Sequence, residues 1–246
     1  MIFSTPFLKI GKVVFMRRVF ITGDTHADFG RLWRLSRGNN TSKEDMVIIL
    51  GDSGINYMTG GVARVTKENL SRMPLTIVCV HGNHERRAES IETDHETEWC
   101  GGKAFIEEAY PSIIFLKDGE VYNILGRSFF VIGGAYSPDK KYRIEHHYPW
   151  FDDEQPSDST KEMIESMIGR NRINVDYVLT HTCPYKYIPF EELQNGAYGE
   201  IDYSTEIWLE KISGSLKFDK WFCGHYHIDK EIDSIVFMFE NVRQLI

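Results

Sequence analysis

The chain has 246 residues, of which 42% are hydrophobic and 26% charged, a composition typical of a soluble globular protein with a sizeable core. Its 36 acidic residues outnumber its 28 basic ones and give a net charge of −8, which argues against broad nucleic-acid binding because such a protein repels polyanions. No apolar run approaches the roughly 18 residues of a membrane helix, and Lys9 and Lys12 interrupt the N-terminal stretch where a signal peptide would be continuously apolar.

Residues 1–15 precede the first strong strand signal. They are either an N-terminal extension upstream of a true start at Met16, or an additional edge strand formed by FLKIGKVVF. No repeat, low-complexity tract or linker divides the rest of the sequence, so we expect a single domain over residues 16–246. The four cysteines form no Cys-x-x-Cys pair, a pattern that favours reduced thiols and a cytoplasmic location.

Five short runs rich in β-branched and aromatic residues predict core strands covered on both faces. They are residues 18–22, 46–50, 75–80, 176–180 and 220–223. Helices are predicted between the first three runs, at 28–37 and 61–72. The first half of the chain therefore has a β-α-β-α-β order.

The later elements mix parallel crossovers with hairpins. Residues 121–134 predict two strands about a turn at 126–127, and residues 234–239 predict a closing strand. The spacing of Ser159 and Glu162 predicts a capping box that opens another helix. This mixture favours an α/β sandwich over a simple open sheet.

Residues 137–158 break this pattern because they are dense in charge, aromatic rings and proline. One interpretation is a packed surface loop. The other is a lid-like loop that borders an active site, since long structured loops in compact domains are often functional.

Each of the five predicted core strands is followed by residues that can bind a metal ion. In chain order these are Gly23-Asp24-Thr25-His26, Gly51-Asp52, His81-Gly82-Asn83-His84-Glu85, His181 and Gly224-His225-Tyr226-His227. Ligands of α/β folds bind outside the carboxyl ends of the strands, so these distant side chains would converge at one edge of the sheet.

The local spacings suit metal coordination. Two of the motifs hold ligands at positions i and i+2, which project to the same side of an extended backbone, and glycine precedes the ligand in four motifs, which permits close approach. A single histidine after a strand is more often an ordinary hydrogen-bonding residue, but five of the nine histidines fall at strand ends together. The others, which show no comparable pattern, are His81, His95, His146 and His147.

In this order GDTH, GD, GNHE, the strand followed by His181, and GHYH resemble the motifs of the calcineurin-like metallophosphoesterase superfamily. The resemblance covers the chain from Arg17 to the end. It implies an α/β fold, a four-layer α-β-β-α sandwich of two mixed sheets flanked by helices, and a hydrolase that acts on phosphate esters with two metal ions. By position it assigns Asp24, His26 and His227 to the first metal, Asn83, His181 and His225 to the second, and Asp52 to both as a bridge.

The resemblance also implies that His84 is a catalytic residue that binds no metal, while Asn83 and Arg143 are candidates for binding the substrate. The mixed imidazole, carboxylate and amide ligands suit transition metals better than calcium or magnesium. The resemblance makes manganese the first choice, with iron, zinc or nickel as alternatives. Two such ions would activate a shared water as hydroxide, line it up with phosphorus opposite the leaving group, and attract an anionic substrate.

Three positions depart from the family pattern. Ala27 stands where the first motif usually continues with glycine. Ile55 stands where a polar residue, often Asp, usually orients the catalytic histidine. His81 replaces the arginine that precedes the GNHE motif in protein serine/threonine phosphatases, which disfavours that branch.

The leading hypothesis is therefore a metal-dependent phosphoesterase that acts on a small or modest substrate. One alternative is a phosphodiesterase or nuclease acting on nucleotides or single strands, and another is a catalytically silent scaffold for protein binding. If loop 137–158 is a lid, Arg143 would meet the phosphate and the acidic run 152–154 would repel duplex DNA. The leaving group would then pack on aromatic rings, those of Tyr142, Tyr148 and Trp150.

Overall fold

The computed structural model describes residues 17–170, 172–193 and 200–246, and the predicted extension at residues 1–15 lies outside them. This described part forms α-helices α1 Gly30–Asn39, α2 Gly60–Ser71, α3 Lys140–Glu145, α4 Asp158–Arg170 and α5 Ser204–Ser213. Its strands are β1 Val19–Thr22, β2 Met46–Leu50, β3 Thr76–Val80, β4 Asp94–Trp99, β5 Gly102–Glu107, β6 Ile113–Leu116, β7 Val121–Ile124, β8 Arg127–Ile132, β9 Ile173–Asn174, β10 Tyr177–Thr180, β11 Leu216–Lys217, β12 Lys220–Cys223, β13 Lys230–Ile232, β14 Ile235–Phe237 and β15 Arg243–Gln244. No helix within these residues has the length and apolar character needed to cross a membrane.

The first large sheet has the strand order β15-β1-β2-β3-β6-β5-β4. Its centre is parallel, from β1 through β2 and β3 to β6, and antiparallel strands close both edges. The β-α-β-α-β order predicted for the first half of the chain builds this parallel centre, with α1 and α2 as the crossovers.

The second large sheet has the order β13-β14-β12-β10-β8-β7. Here the parallel centre runs from β14 through β12 and β10 to β8, and hairpins supply the edge strands. In the β7–β8 hairpin, Leu125 and Gly126 both have positive φ and form the two-residue turn. The predicted turn at 126–127 is therefore one residue late, because Arg127 already pairs with Ile124.

The two sheets stack face to face, and alternate residues of their strands fill the space between them. The central cluster includes Ile21, Ile48 and Val78 of the first sheet and Phe129, Leu179 and Phe222 of the second. The outer face of the first sheet packs against α1 and α2 through Leu32 and Leu70. The outer face of the second packs against α4 and α5 through Ile164 and Leu209. The fold is thus the expected four-layer α-β-β-α sandwich.

Two local features differ from the sequence-based expectation. The predicted capping box at Ser159 and Glu162 is wrong, because α4 begins earlier and the Ser157 hydroxyl accepts a hydrogen bond from the Thr160 backbone N at 3.1 Å. The segment 137–158, expected to be irregular, contains the short helix α3.

Candidate metal centre

Five parallel strands end at one edge of the sandwich and carry the predicted motifs there. Strands β1, β2 and β3 lead into Asp24, Asp52 and Asn83, and strands β10 and β12 of the other sheet lead into His181 and His225. We call this edge the rim, and define it by the eight predicted residues that meet there: Asp24, His26, Asp52, Asn83, His84, His181, His225 and His227.

One half of the rim gathers around Asp24. Its Oδ2 lies 3.2 Å from His227 Nε2 and 3.8 Å from His26 Nε2, and the two imidazole nitrogens are 2.9 Å apart. Asp52 Oδ2 approaches from the neighbouring strand end, 3.9 Å from His26 Nε2. Atoms that share one metal ion at about 2.0–2.2 Å lie about 3–3.5 Å apart, so this group can close on a single ion with small side-chain movements.

The other half gathers around Asn83. Its Oδ1 lies 2.8 Å from His181 Nε2 and 3.0 Å from His225 Nδ1. His181 Nε2 is also 3.6 Å from Asp52 Oδ1. Because Asn83 Nδ2 donates to Ser137 Oγ at 2.9 Å, the amide oxygen is the atom turned toward the histidines. Asp52 thus faces both halves, one oxygen toward each.

The backbone at the rim adopts conformations that few residues accept. Four of the predicted ligand residues have positive φ, with His26 at 44°, Asp52 at 46°, His225 at 67° and His227 at 52°. Such conformations each cost about 1–3 kcal/mol and cluster at functional sites. Gly82 allows the loop after β3 to approach, because a Cβ at this position would lie 2.1 Å from Asp52 Oδ1.

The electrostatics of the rim fit a cation. Asp24 Oδ2 is buried and accepts no hydrogen bond; burial opposes its ionisation, but the adjacent His227 and His181 hold the pKa of Asp24 below its ordinary value. Burial lowers the pKa of His225 to about 3, so its ring is neutral at pH 7 and offers a lone pair. Burial and the nearby Asp52 raise the pKa of Glu85 to about 7. Crowded carboxyls beside neutral imidazoles suit a transition-metal ion.

His84 lies beside both halves but faces other partners. Its Nδ1 is 3.0 Å from Arg143 Nη2 and 3.7 Å from Asp52 Oδ2, and its Nε2 is 3.3 Å from Asp139 Oδ1. Burial disfavours the charged ring, but Asp139 and Asp52 outweigh burial and raise the pKa of His84 above its ordinary value. His84 lies close enough to His26 and Asp52 to form a metal-binding group, but the guanidinium at Nδ1 opposes a second cation there.

A cavity of about 130 Å³ adjoins the rim, and its lining residues are His26, Ala27, Gly54, Tyr57, His84 and Arg143. Small-molecule pockets usually measure about 300–1,000 Å³, so this cavity fits only a compact group. Arg143 is held at its wall by Asp139 Oδ2, which accepts from Nε at 2.8 Å, and by Tyr57 Oη, 3.3 Å from Nη1.

The aromatic side chains expected to meet the leaving group have partners within loop 137–158 itself. Tyr142 stacks on His146 and Tyr148, and Trp150 Nε1 donates to Glu154 Oε2 at 2.8 Å. The expectation that residues 152–154 form an acidic surface is wrong for Glu154, because this carboxylate is buried as the acceptor for the indole.

Three residues of the site belong to none of the predicted motifs: Tyr57, Ser137 and Asp139. Ser137 and Asp139 lie in segment 137–158, the candidate lid, and Asp139 also precedes Arg143 by four positions, the spacing of a helical ion pair; Tyr57 had no sequence signal. Three of the remaining histidines are exposed, namely His95, His146 and His147.

Comparison with known proteins gives one family match. Residues 17–229 match the family model for the calcineurin-like phosphoesterase. One solved crystal structure aligns at 13% identity and a TM-score of 0.47, covering 90% of this chain and 89% of the other. A protein of unknown function, AQ665 from Aquifex aeolicus, aligns at 10% identity and a TM-score of 0.36, covering 82% and 88%. No curated protein matches the chain significantly.

Proposed function

The chain belongs to the calcineurin-like phosphoesterase family, and from this premise we propose that it hydrolyses small phosphate esters with a pair of metal ions. Membership makes the protein a metal-dependent hydrolase that acts on phosphoric ester bonds. The pair of ions is supported chiefly by Asp52, whose Oδ2 lies 3.9 Å from His26 and whose Oδ1 lies 3.6 Å from His181. One carboxylate thereby joins two separate groups of ligand atoms.

The two halves of the rim would each hold one ion. The first would be held by Asp24, His26 and His227, the second by Asn83, His181 and His225, and both by Asp52. Manganese is the first choice, with iron, zinc or nickel as alternatives, because the ligands mix imidazole nitrogens with carboxylate and amide oxygens. Bound ions of this kind polarise phosphoryl oxygens and activate a water as the nucleophile.

His84 and Arg143 would act on the substrate from the cavity side. Arg143 lines the cavity, and its guanidinium would donate to a phosphate oxygen there through Nη2. His84 lies at the same wall with Nδ1 toward the rim; in its protonated form, with Arg143 Nη2 turned from Nδ1 to the phosphate, it would stabilise the charge that develops on the leaving oxygen or protonate that oxygen. Asn83 would contribute through its amide oxygen at the second ion.

The substrate is proposed to be slender at the reacting end. A cavity of about 130 Å³ beside the rim accommodates a phosphoryl group but not a duplex backbone. The net charge of −8 also opposes binding of long polyanions. A cytoplasmic site of action fits the free cysteines of the described chain, Cys79, Cys100, Cys183 and Cys223.

A metal-supplemented substrate screen tests this function. The protein, loaded in turn with manganese, iron, zinc or nickel, would be offered p-nitrophenyl phosphate, bis-p-nitrophenyl phosphate, nucleotides and duplex DNA. We expect metal-dependent hydrolysis of an aryl monoester or diester, little cleavage of duplex DNA, and a large loss in His84→Ala. Vigorous cleavage of duplex DNA would favour a nuclease instead, and metal binding without any hydrolysis would favour a silent scaffold.

A further inference from the structure

We propose that Asp139 is a positioning residue that aligns both His84 and Arg143, so that one loop carboxylate sets the two side chains that meet the phosphate ester. The inference rests on the proposed function, because it concerns the same reaction. Asp139 is not among the residues that line the cavity, so it would act through its two partners.

The two oxygens of the Asp139 carboxylate have different partners. Oδ2 accepts a hydrogen bond from Arg143 Nε at 2.8 Å, and Oδ1 lies 3.3 Å from His84 Nε2. Both Oδ1 and His84 Nε2 are buried and form no hydrogen bond among the described residues, so each is the nearest polar partner available to the other. A polar atom that is buried without a partner is unfavourable, so a proton on Nε2 directed at Oδ1 would satisfy both atoms.

A third contact closes a triangle between the same side chains. Arg143 Nη2 lies 3.0 Å from His84 Nδ1, and a guanidinium group can only donate. In the neutral ring of His84, Nδ1 is therefore the acceptor and Nε2 carries the proton, on the side of Asp139. The carboxylate thus favours one tautomer of His84 and fixes the direction of the Arg143 guanidinium.

The position of Asp139 in the chain explains why it reaches both partners. It directly precedes α3, and Arg143 lies one helical turn later, at the spacing that brings two side chains onto one face. In the family pattern, the residue that orients the catalytic histidine stands at position 55. In this chain that position holds Ile55, an apolar side chain that is buried with Phe20 and Leu32. The carboxylate that serves His84 therefore comes from loop 137–158.

A double-mutant cycle tests this role in the metal-loaded protein. We expect Asp139→Asn to lower kcat about tenfold and to raise KM severalfold, within the range of couplings between contacting residues. In a His84→Ala background the effect of Asp139→Asn on kcat should disappear, and in an Arg143→Ala background its effect on KM should disappear. A kcat effect of unchanged size in the His84→Ala background would overturn the proposal.

A spectroscopic readout separates this proposal from the proposed function. In zinc-loaded protein labelled with ¹⁵N-histidine, we expect the His84 signals of the Nε2–H tautomer, and a mixture of tautomers in Asp139→Ala. This measurement needs no substrate, so it still tests Asp139 if the wild type hydrolyses nothing in the screen. An unchanged tautomer in Asp139→Ala would overturn the proposal even if activity fell.

The matched control is Glu145→Gln, which removes one carboxylate from the same helix. Glu145 is exposed and its ion pair with Lys141 is long, at 3.9 Å, so such a pair contributes little. We expect wild-type kinetics, tautomer and metal content in this variant. Equal losses of activity in Glu145→Gln and Asp139→Asn would assign the effect to loop charge in general and overturn the proposal.

Discussion

The rim and loop 137–158 supply the same site by different means. The predicted rim ligands lie directly beyond the ends of buried parallel strands of both sheets, so the hydrogen-bonded sheets fix where each ligand-bearing segment begins. Arg143 and Asp139 lie in or beside α3, a helix of six residues in a segment without strands. The difference suggests a division of labour in which the sheets hold the metal ions and the loop aligns the groups that act on the substrate.

This comparison makes a general prediction. Changes at the seven predicted ligand residues of the rim should remove metal and activity together, whereas changes at His84 or in the loop should alter kinetics and leave metal content intact. Variants of the two regions test this separation of metal binding from substrate alignment.

The largest effect is expected for Asp52→Asn. An amide cannot supply the second charged oxygen that faces the other half of the rim, so both ions should bind weakly and activity should fall at least about a thousandfold. Metal analysis and steady-state kinetics would measure both. Asp45→Asn is the control, because Asp45 is a buried carboxylate at the opposite end of β2 that pairs with Arg18 at 2.9 Å. Two tightly held ions in Asp52→Asn would refute the shared ligand.

His84→Ala should lower kcat about a hundredfold or more, as loss of a positioned acid usually does. Metal content should not change, because His84 Nδ1 faces Arg143 and the described rim offers seven other ligand residues. His95→Ala, which removes an exposed histidine on β4, is the matched control. Loss of metal in this variant would make His84 a metal ligand, like the other seven residues of the rim.

Arg143→Ala should raise KM about tenfold with a smaller change in kcat, because it removes a donor for the phosphate oxygens. Arg143→Lys should recover little of the low KM of the wild type. An ammonium group cannot contact Asp139, His84 and a phosphate with the fork geometry of a guanidinium. Lys141→Ala on the same helix is the control. A loss of bound metal in Arg143→Ala would break the separation between rim and loop.

The smallest effect is expected at Ala27, which follows His26 of the rim and lines the cavity. Ala27 has φ of 64°, where a Cβ is unfavourable and glycine is not. Ala27→Gly should therefore keep full metal content and raise the free energy of unfolding by up to about 1 kcal/mol. Ala88→Gly, at a buried position with ordinary φ, should instead destabilise. Denaturant unfolding would measure the free energy of unfolding of both variants. Destabilisation by Ala27→Gly would contradict the backbone strain assigned to the rim.

The same contrast explains what the sequence could and could not predict. The five strands that end at the rim and the gathering of the rim residues were predictable, because apolar runs mark buried parallel strands and such strands end at a common edge; the four layers followed from the family resemblance. The contacts of Asp139 and Tyr57 with His84 and Arg143 were not predictable, because they depend on how loop 137–158 packs beside the rim rather than on a local pattern. The sequence also did not reveal that Glu154 is buried, where its carboxylate accepts a hydrogen bond from the Trp150 indole.

The central claim, a hydrolase that needs two ions joined by one carboxylate, is tested most directly by counting metal during reactivation. Metal-free protein would receive increasing manganese, with zinc in a parallel series, while bound metal and hydrolysis of p-nitrophenyl phosphate or its diester are measured in the same samples. We predict no hydrolysis without metal and a rate that reaches its maximum at two ions per chain. Hydrolysis by the metal-free protein, or a full rate with one ion per chain, would contradict this claim.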